Sequence, residues 1–135
     1  MVVRQIKTKR QNDIKKMLCS CDECKDINTL FISLQRLGKD LQTDTKINQI
    51  VDFFSVVGNR ERLIIINVLK DKDRCVCELE TILDKSQPSI SHHLRELEKL
   101  NLIRGWKKGK FTYYSLLKEN FNQYLNQIKK ELQFD

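Results

Sequence analysis

Residues 84–102 read D-K-S-Q-P-S-I-S-H-H-L-R-E-L-E-K-L-N-L, and few folds accommodate that pattern. Ser86 is placed to cap a helix, and Pro88 stands in its first turn, where a missing N–H costs little. Ile90, Leu94 and Leu97 then recur at spacings of four and three, which predicts one apolar stripe resting on a core. The opposite face carries Gln87, Ser89, Ser91, His92 and Arg95, short or forked hydrogen-bonders of the kind that reach base edges and phosphates from the first half of a helix. Upstream, residues 79–83 form a short apolar segment running into Asp84-Lys85-Ser86. Two helices joined by so tight a turn are a helix-turn-helix.

The runs Ile103-Arg104-Gly105-Trp106 and Phe111-Thr112-Tyr113-Tyr114-Ser115-Leu116 are β-prone and flank Lys107-Lys108-Gly109-Lys110, a loop able to close a hairpin. A basic hairpin directly after such a helix is a wing. Arg104, Lys107, Lys108 and Lys110 would lie along a sugar-phosphate backbone and add affinity that depends on salt more than on sequence.

The 135 residues suffice for one core. With 40% hydrophobic residues and a single proline they predict a mostly α chain with a small β-hairpin, a winged helix-turn-helix. A formal net charge of +7 suits a polyanionic partner, double-stranded DNA. No apolar run approaches the roughly 18 residues of a membrane span, so no membrane role is expected. The basic N-terminus lacks an apolar stretch, and Leu18-Cys19-Ser20-Cys21 therefore does not read as a secretion or lipoprotein signal. A cytoplasmic protein is expected. In that reducing compartment, five cysteines in two short motifs point to metal or redox chemistry before structural disulfides.

Residues 1–25 form a basic arm: Arg4, Lys7, Lys9, Arg10, Lys15 and Lys16 stand against the single acid Asp13 up to residue 18, followed by Cys19-Ser20-Cys21-Asp22-Glu23-Cys24. The charged part is expected as a mobile arm or loosely held helix, either touching DNA or solvated. Residues 26–45 hold a helix capped by Asp26, with Ile27, Leu30, Phe31, Leu34 and Leu37 as core or dimer interface, Gly38 as its C-cap and a polar linker over 39–45. Residues 46–117 are the winged helix-turn-helix domain. In it Asn59-Arg60-Glu61-Arg62 opens a helix whose centre, residues 63–69, is apolar on nearly every side and is expected innermost. Residues 118–135 form a terminal helix whose stripe Phe121, Tyr124, Leu125, Ile128 and Leu132 asks for a partner, which predicts a homodimer.

Cys75-Val76-Cys77 stands at the start of the helix leading into the helix-turn-helix. One cysteine there would read as a small buried hydrophobe. A C-x-C here and a C-x-C-x-x-C on the arm instead suggest a thiolate site for a thiophilic ion, with Cys75 and Cys77 chelating and Cys19, Cys21 and Cys24 supplying the rest. Reversible disulfides in a redox-sensing DNA-binding protein of the same fold, or a structural zinc, remain open alternatives. The C-x-x-C of Cys21 and Cys24 lacks the flanking strands of a thiol oxidoreductase, so no enzyme is expected. His92 and His93 lie about 100° apart around a helix, unlike an i, i+4 metal pair. His92 is read as groove-facing and His93 as partly packed.

Asn59-Arg60-Glu61-Arg62-Leu63, Cys75-Val76-Cys77-Glu78-Leu79, Gln87-Pro88-Ser89-Ile90-Ser91-His92-His93-Leu94 and Tyr113-Tyr114-Ser115-Leu116 together resemble the ArsR/SmtB family of winged-helix metal-sensing repressors, over roughly residues 47–118. The resemblance implies a homodimer that holds an operator when metal-free and leaves it when Cd, Pb, Zn or As(III) binds. It places Cys75 and Cys77 on the family's C-V-C sensing pair, and in the cadmium- and lead-responsive branch arm cysteines complete that site. Glu80 stands where arsenic sensors of one type carry a third cysteine. The arm spacing differs from that branch's C-x-x-x-C, which leaves open which arm thiols coordinate and from which protomer. Lys118, Glu119 and Asn120 stand where a second, zinc-sensing motif would begin, and with no histidine following, that second site is expected to be absent.

Overall fold

The structure, a computed structural model, describes residues 1–19 and 26–133. In chain order these form α1 (Val2–Leu18), α2 (Ile27–Gln42), α3 (Thr45–Val57), α4 (Arg60–Asp71), β1 (Arg74–Cys75), α5 (Val76–Leu83), α6 (Gln87–Lys99), β2 (Ile103–Lys108), β3 (Phe111–Leu116) and α7 (Lys118–Glu131). The chain divides after Ile47 into two compact units. No described helix is long and apolar enough to cross a membrane.

In the first unit α1 packs on α2, with the Lys15 ammonium 4.8 Å from the Phe31 ring centroid. The Asp26 side chain accepts from the Asn28 and Thr29 backbone N–H groups, as a helix cap should. Gly38 does not end α2, contrary to the expectation. The helix runs four residues further because Lys39, Asp40, Leu41 and Gln42 sustain it, and one interior glycine costs only about 1 kcal/mol. The break falls at Thr43 and Asp44, whose carboxylate accepts from the Lys46 N–H at 2.8 Å.

The second unit is built around Phe53, Ile65, Leu69, Leu79, Ile90, Leu94, Leu97 and Leu102, each at most 2% exposed. The stripe of α6 is buried as its spacing requires. Ser86 caps α6 by accepting from the Ser89 N–H at 3.4 Å. Asp84, between α5 and α6, takes a left-handed conformation (φ 50°) that closes the helix-turn-helix turn. Only part of α4 is innermost: Ile65, Ile66 and Leu69 are buried, whereas Leu63 and Ile64 remain on the surface of the single chain. On α7, Phe121 and Tyr124 meet Phe53 of α3, with ring centroids 5.5 and 5.0 Å away. Much of the terminal stripe is therefore satisfied within the chain, and Leu125 and Leu132 stay exposed.

The sheet is three-stranded and antiparallel, in the order β1-β3-β2. The β2–β3 hairpin turns on Gly109 (φ 60°) and Lys110, so Lys107 and Lys108 belong to β2 and not to the loop. The third strand, β1, pairs Arg74 with Tyr114 and Cys75 with Tyr113.

Leu79 has no exposed surface and fixes α5 to the core. Leu79→Ala should cost about 2–5 kcal/mol in urea denaturation, with the midpoint lowered and the slope retained; a loss under about 1 kcal/mol would show that α5 is not anchored there.

Candidate nucleic-acid interface and thiol pair

Helix α6 presents Gln87, His92 and Arg95 to solvent, with Ser89 and Ser91 half-buried beside them. Arg95 Nε donates to its own helix at the Ser91 carbonyl, 3.4 Å away. Arg104, Lys107, Lys108 and Lys110 are all exposed on the hairpin. One fold thus gathers the polar helix face and the basic hairpin, the two features the sequence singled out. Tyr114 joins them: burial, followed by the charge and hydrogen bond of Glu98 at the end of α6, pushes its phenol above the ordinary value.

The two histidines divide, and His93 is partly packed as expected. His92 is exposed, while His93 is half-buried and its Nδ1 accepts from Arg62 Nε at 3.1 Å. Arg62 also donates to the Val56 carbonyl at 3.2 Å, so one guanidinium ties α3, α4 and α6 together. With Nδ1 accepting, the imidazole is neutral. Desolvation first, and then the Arg62 charge, hold its pKa below the ordinary value. Sequence spacing offers no signal for this contact, because its partners are 31 residues apart.

The thiol pair sits where β1 becomes α5. Cys75 is extended (φ −80°, ψ 164°), buried, and at the N-cap position, while Cys77 lies in the first turn and is exposed. The Glu78 carboxylate reaches back to accept from the Cys75 N–H at 3.2 Å and from Arg74 at 3.1 Å. These two contacts, in that order, lower its pKa. Arg74 also pairs with Asp71 at 3.0 Å. Because Cys75 is not helical, the two thiols are not held to helical spacing, and neither is in a disulfide, so both can serve as donors of the soft type that thiophilic ions select. Cys19 is exposed immediately after α1. Cys21 and Cys24 lie outside the described residues. Among the described residues no group of three or more Cys, His, Asp or Glu gathers in a metal-binding cluster.

A network that sequence reading missed connects this pair to the hairpin. Cys75, Tyr113 and Trp106 occupy one register row across the three strands. The Tyr113 and Trp106 rings stack with centroids 4.9 Å apart. The Trp106 indole N–H donates to Asp73 Oδ2 at 3.0 Å and to Ser115 Oγ at 2.9 Å, and the Ser115 hydroxyl donates to Asp73 at 2.6 Å. Asp73 lies two residues before Cys75. A tryptophan N–H normally needs a partner when packed, which was the available hint, but nothing local identified Asp73 as that partner.

Residues 59–104 match the model of the family described as bacterial regulatory protein, arsR family. A cadmium resistance transcriptional regulatory protein, CadC, of Listeria innocua is 40% identical over 63 residues, 46% of this chain and 53% of that protein. The chain thus spans about half the length of that relative. A CadC homolog of Staphylococcus aureus is 33% identical over 91 residues, 67% of this chain and 74% of the homolog. Among solved structures, an ArsR-like transcriptional regulator from Rhodococcus sp. RHA1 matches in fold with a TM-score of 0.56 at 23% identity, covering 62% of this chain and 79% of that one.

The lowered pKa of His93 has a signed consequence. The folded state prefers the neutral ring, so its contribution is complete above the ordinary value of about 6.5 and is lost as pH falls through and below it. His93→Gln keeps an acceptor for Arg62 but does not titrate. Denaturation from pH 8 to about 5 should show the wild type losing stability relative to this variant; parallel curves would contradict the assignment.

Proposed function

The chain belongs to the arsR family of bacterial regulatory proteins, and from that premise we propose that it is a sequence-specific DNA-binding repressor released from its operator when a thiophilic ion binds its cysteines. The family is one of DNA-binding regulators, not enzymes. The observation that carries the reading is the position of the Cys75–Cys77 pair: Cys75 is in register with the hairpin, and Cys77 is on the first helix of the helix-turn-helix.

In this reading the first half of α6 enters the major groove. Gln87, Ser89, Ser91, His92 and Arg95 contact bases or phosphates, and Arg104, Lys107, Lys108 and Lys110 follow the backbone as a wing. A homodimer places two such helices in grooves roughly 34 Å apart. The exposed Ile32, Leu37 and Leu41 of α2, with Leu125 and Leu132 of α7, are apolar surface available for that pairing. Cd, Pb, Zn or As(III) is the effector. Cys75 and Cys77 supply two thiolates, and cysteines of the arm, Cys19, Cys21 or Cys24 from either protomer, supply the others.

Ligation at Cys75 constrains β1, and β1 reaches the wing through two routes: its ladder to β3 and the Asp73–Trp106–Ser115 bonds. A bound ion therefore biases the wing and the first helix of the reading head together. A coupling of about 1–3 kcal/mol corresponds to roughly 5- to 150-fold weaker operator binding.

Fluorescence anisotropy of a labelled operator duplex, titrated with Cd(II), tests the site. Cys75→Ser and Cys77→Ser should each bind the duplex like the wild type and stay bound when metal is added; release from either variant would remove that cysteine from the sensor. Asp73→Asn and Trp106→Phe test the route. Each should bind metal and operator separately with near wild-type affinity, while the fold-change that metal exerts on operator binding shrinks at least several-fold. An unchanged factor in both would show that the network holds the wing without transmitting anything.

A further inference from the structure

Helix α1 enters the proposed function only as the tether of Cys19, yet its charge is one-sided. Arg4, Lys7, Lys9, Arg10, Lys15 and Lys16 stand against Asp13 alone, and no residue of the helix is buried. Lys15 lies over the Phe31 ring; Arg4, Lys7, Lys9, Arg10 and Lys16 are exposed, and among the described residues none of them is in an ion pair. Arg4, Lys7 and Arg10 follow one another at i, i+3 spacing, where like charges face and repel. A row of phosphates is the partner that would relieve such a ladder.

We propose that α1 is a second phosphate-binding element, which in the metal-free protein lies along the sugar-phosphate backbone of the same operator; this rests on the DNA-binding reading above. At about 1.5 Å per residue its seventeen residues extend for about 25 Å, long enough to follow several successive phosphates. An anionic membrane surface fits less well. Around the helix, at about 100° per residue, Arg10 falls inside the arc of Val3, Ile6, Ile14 and Met17 and Lys7 lies at its edge, and that arc contains no aromatic residue, whereas interfacial helices keep an unbroken apolar face rich in Trp, Phe and Leu.

The placement of Cys19 gives this surface a regulatory meaning. Its backbone N–H bonds to the Lys15 carbonyl at 3.0 Å, so the thiol follows the last turn directly. An ion that captures arm thiolates holds the end of α1. Ion and phosphates then compete for one segment, and release by metal includes withdrawal of the arm.

The test uses the full-length, metal-free protein, with operator affinity measured from about 50 to 200 mM salt for the wild type and for Arg4→Gln/Lys7→Gln/Lys9→Gln/Arg10→Gln. Glutamine preserves helix propensity. The slope of log K against log salt should fall by about 0.9 for each phosphate that the variant no longer neutralises. Operator and unrelated duplex should weaken by the same factor, because backbone contacts carry no base information. Cd(II) stoichiometry and thiolate-to-metal absorption should be unchanged, showing an intact cysteine site. A wild-type slope in the variant overturns the proposal. So does a variant whose one defect is weaker binding to vesicles of anionic lipid, which would assign α1 to a membrane surface. Because the slope is read without metal, a wild-type protein indifferent to metal would defeat the release function and leave this result standing.

Discussion

The pairing of β1 with β3 is the constraint on which the functional geometry depends. Two residues, Arg74 and Cys75, dock on the central strand of the wing and set where α5 begins. The start of α5 in turn fixes Cys77 on its first turn, and the packing of Leu79 fixes the height of the turn at Asp84. Everything on the reading head follows from that entry point, because α6 starts only three residues beyond Asp84. If an ion binds this pair as proposed, a thiol in a strand paired with the β2–β3 hairpin and a thiol in the helix preceding α6 give it purchase on both elements.

The same economy appears in Arg62. One side chain bonds the Val56 carbonyl at the end of α3 and the His93 ring on α6, from a position on the first turn of α4. Its guanidinium holds the His93 ring inward through Nδ1, and burial first, then the Arg62 charge, disfavours the protonated ring, while His92 beside it is exposed. Adjacent histidines that resemble a metal pair in the sequence thus have separate duties, one in holding helices together and one on the polar face.

What could be read beforehand was whatever repeats locally. The 90, 94, 97 stripe, the Ser86 cap and the Asp26 cap are written within a few residues of where they act, and each is found in place. What could not be read depends on partners far along the chain. Strand β1 is two residues long and exists only because β3 lies about forty residues later; the Asp73–Ser115 bond spans 42 residues. Gly38 misled because a glycine signal near the end of an apolar stripe is weaker than the helix formers that follow it. Lys107 and Lys108 looked like loop because lysine has little strand preference, but pairing with Thr112 and Phe111 holds them in β2. Leu63 and Ile64 are apolar in sequence and exposed in one chain, a difference that hydropathy alone does not reveal.

Thermodynamic reciprocity offers the most direct test of sensing through Cys75. If metal and operator are linked through Cys75 and the wing, each must weaken the other by the same factor. The measurement is Cd(II) affinity by competition with a chelator, once for the free reduced protein and once for the operator-saturated protein. Cd(II) should bind more weakly on the operator, by a ratio equal to the drop in operator affinity caused by Cd(II). Equal Cd(II) affinities in the two states would mean that the thiols bind metal without sensing DNA, and would contradict that linkage.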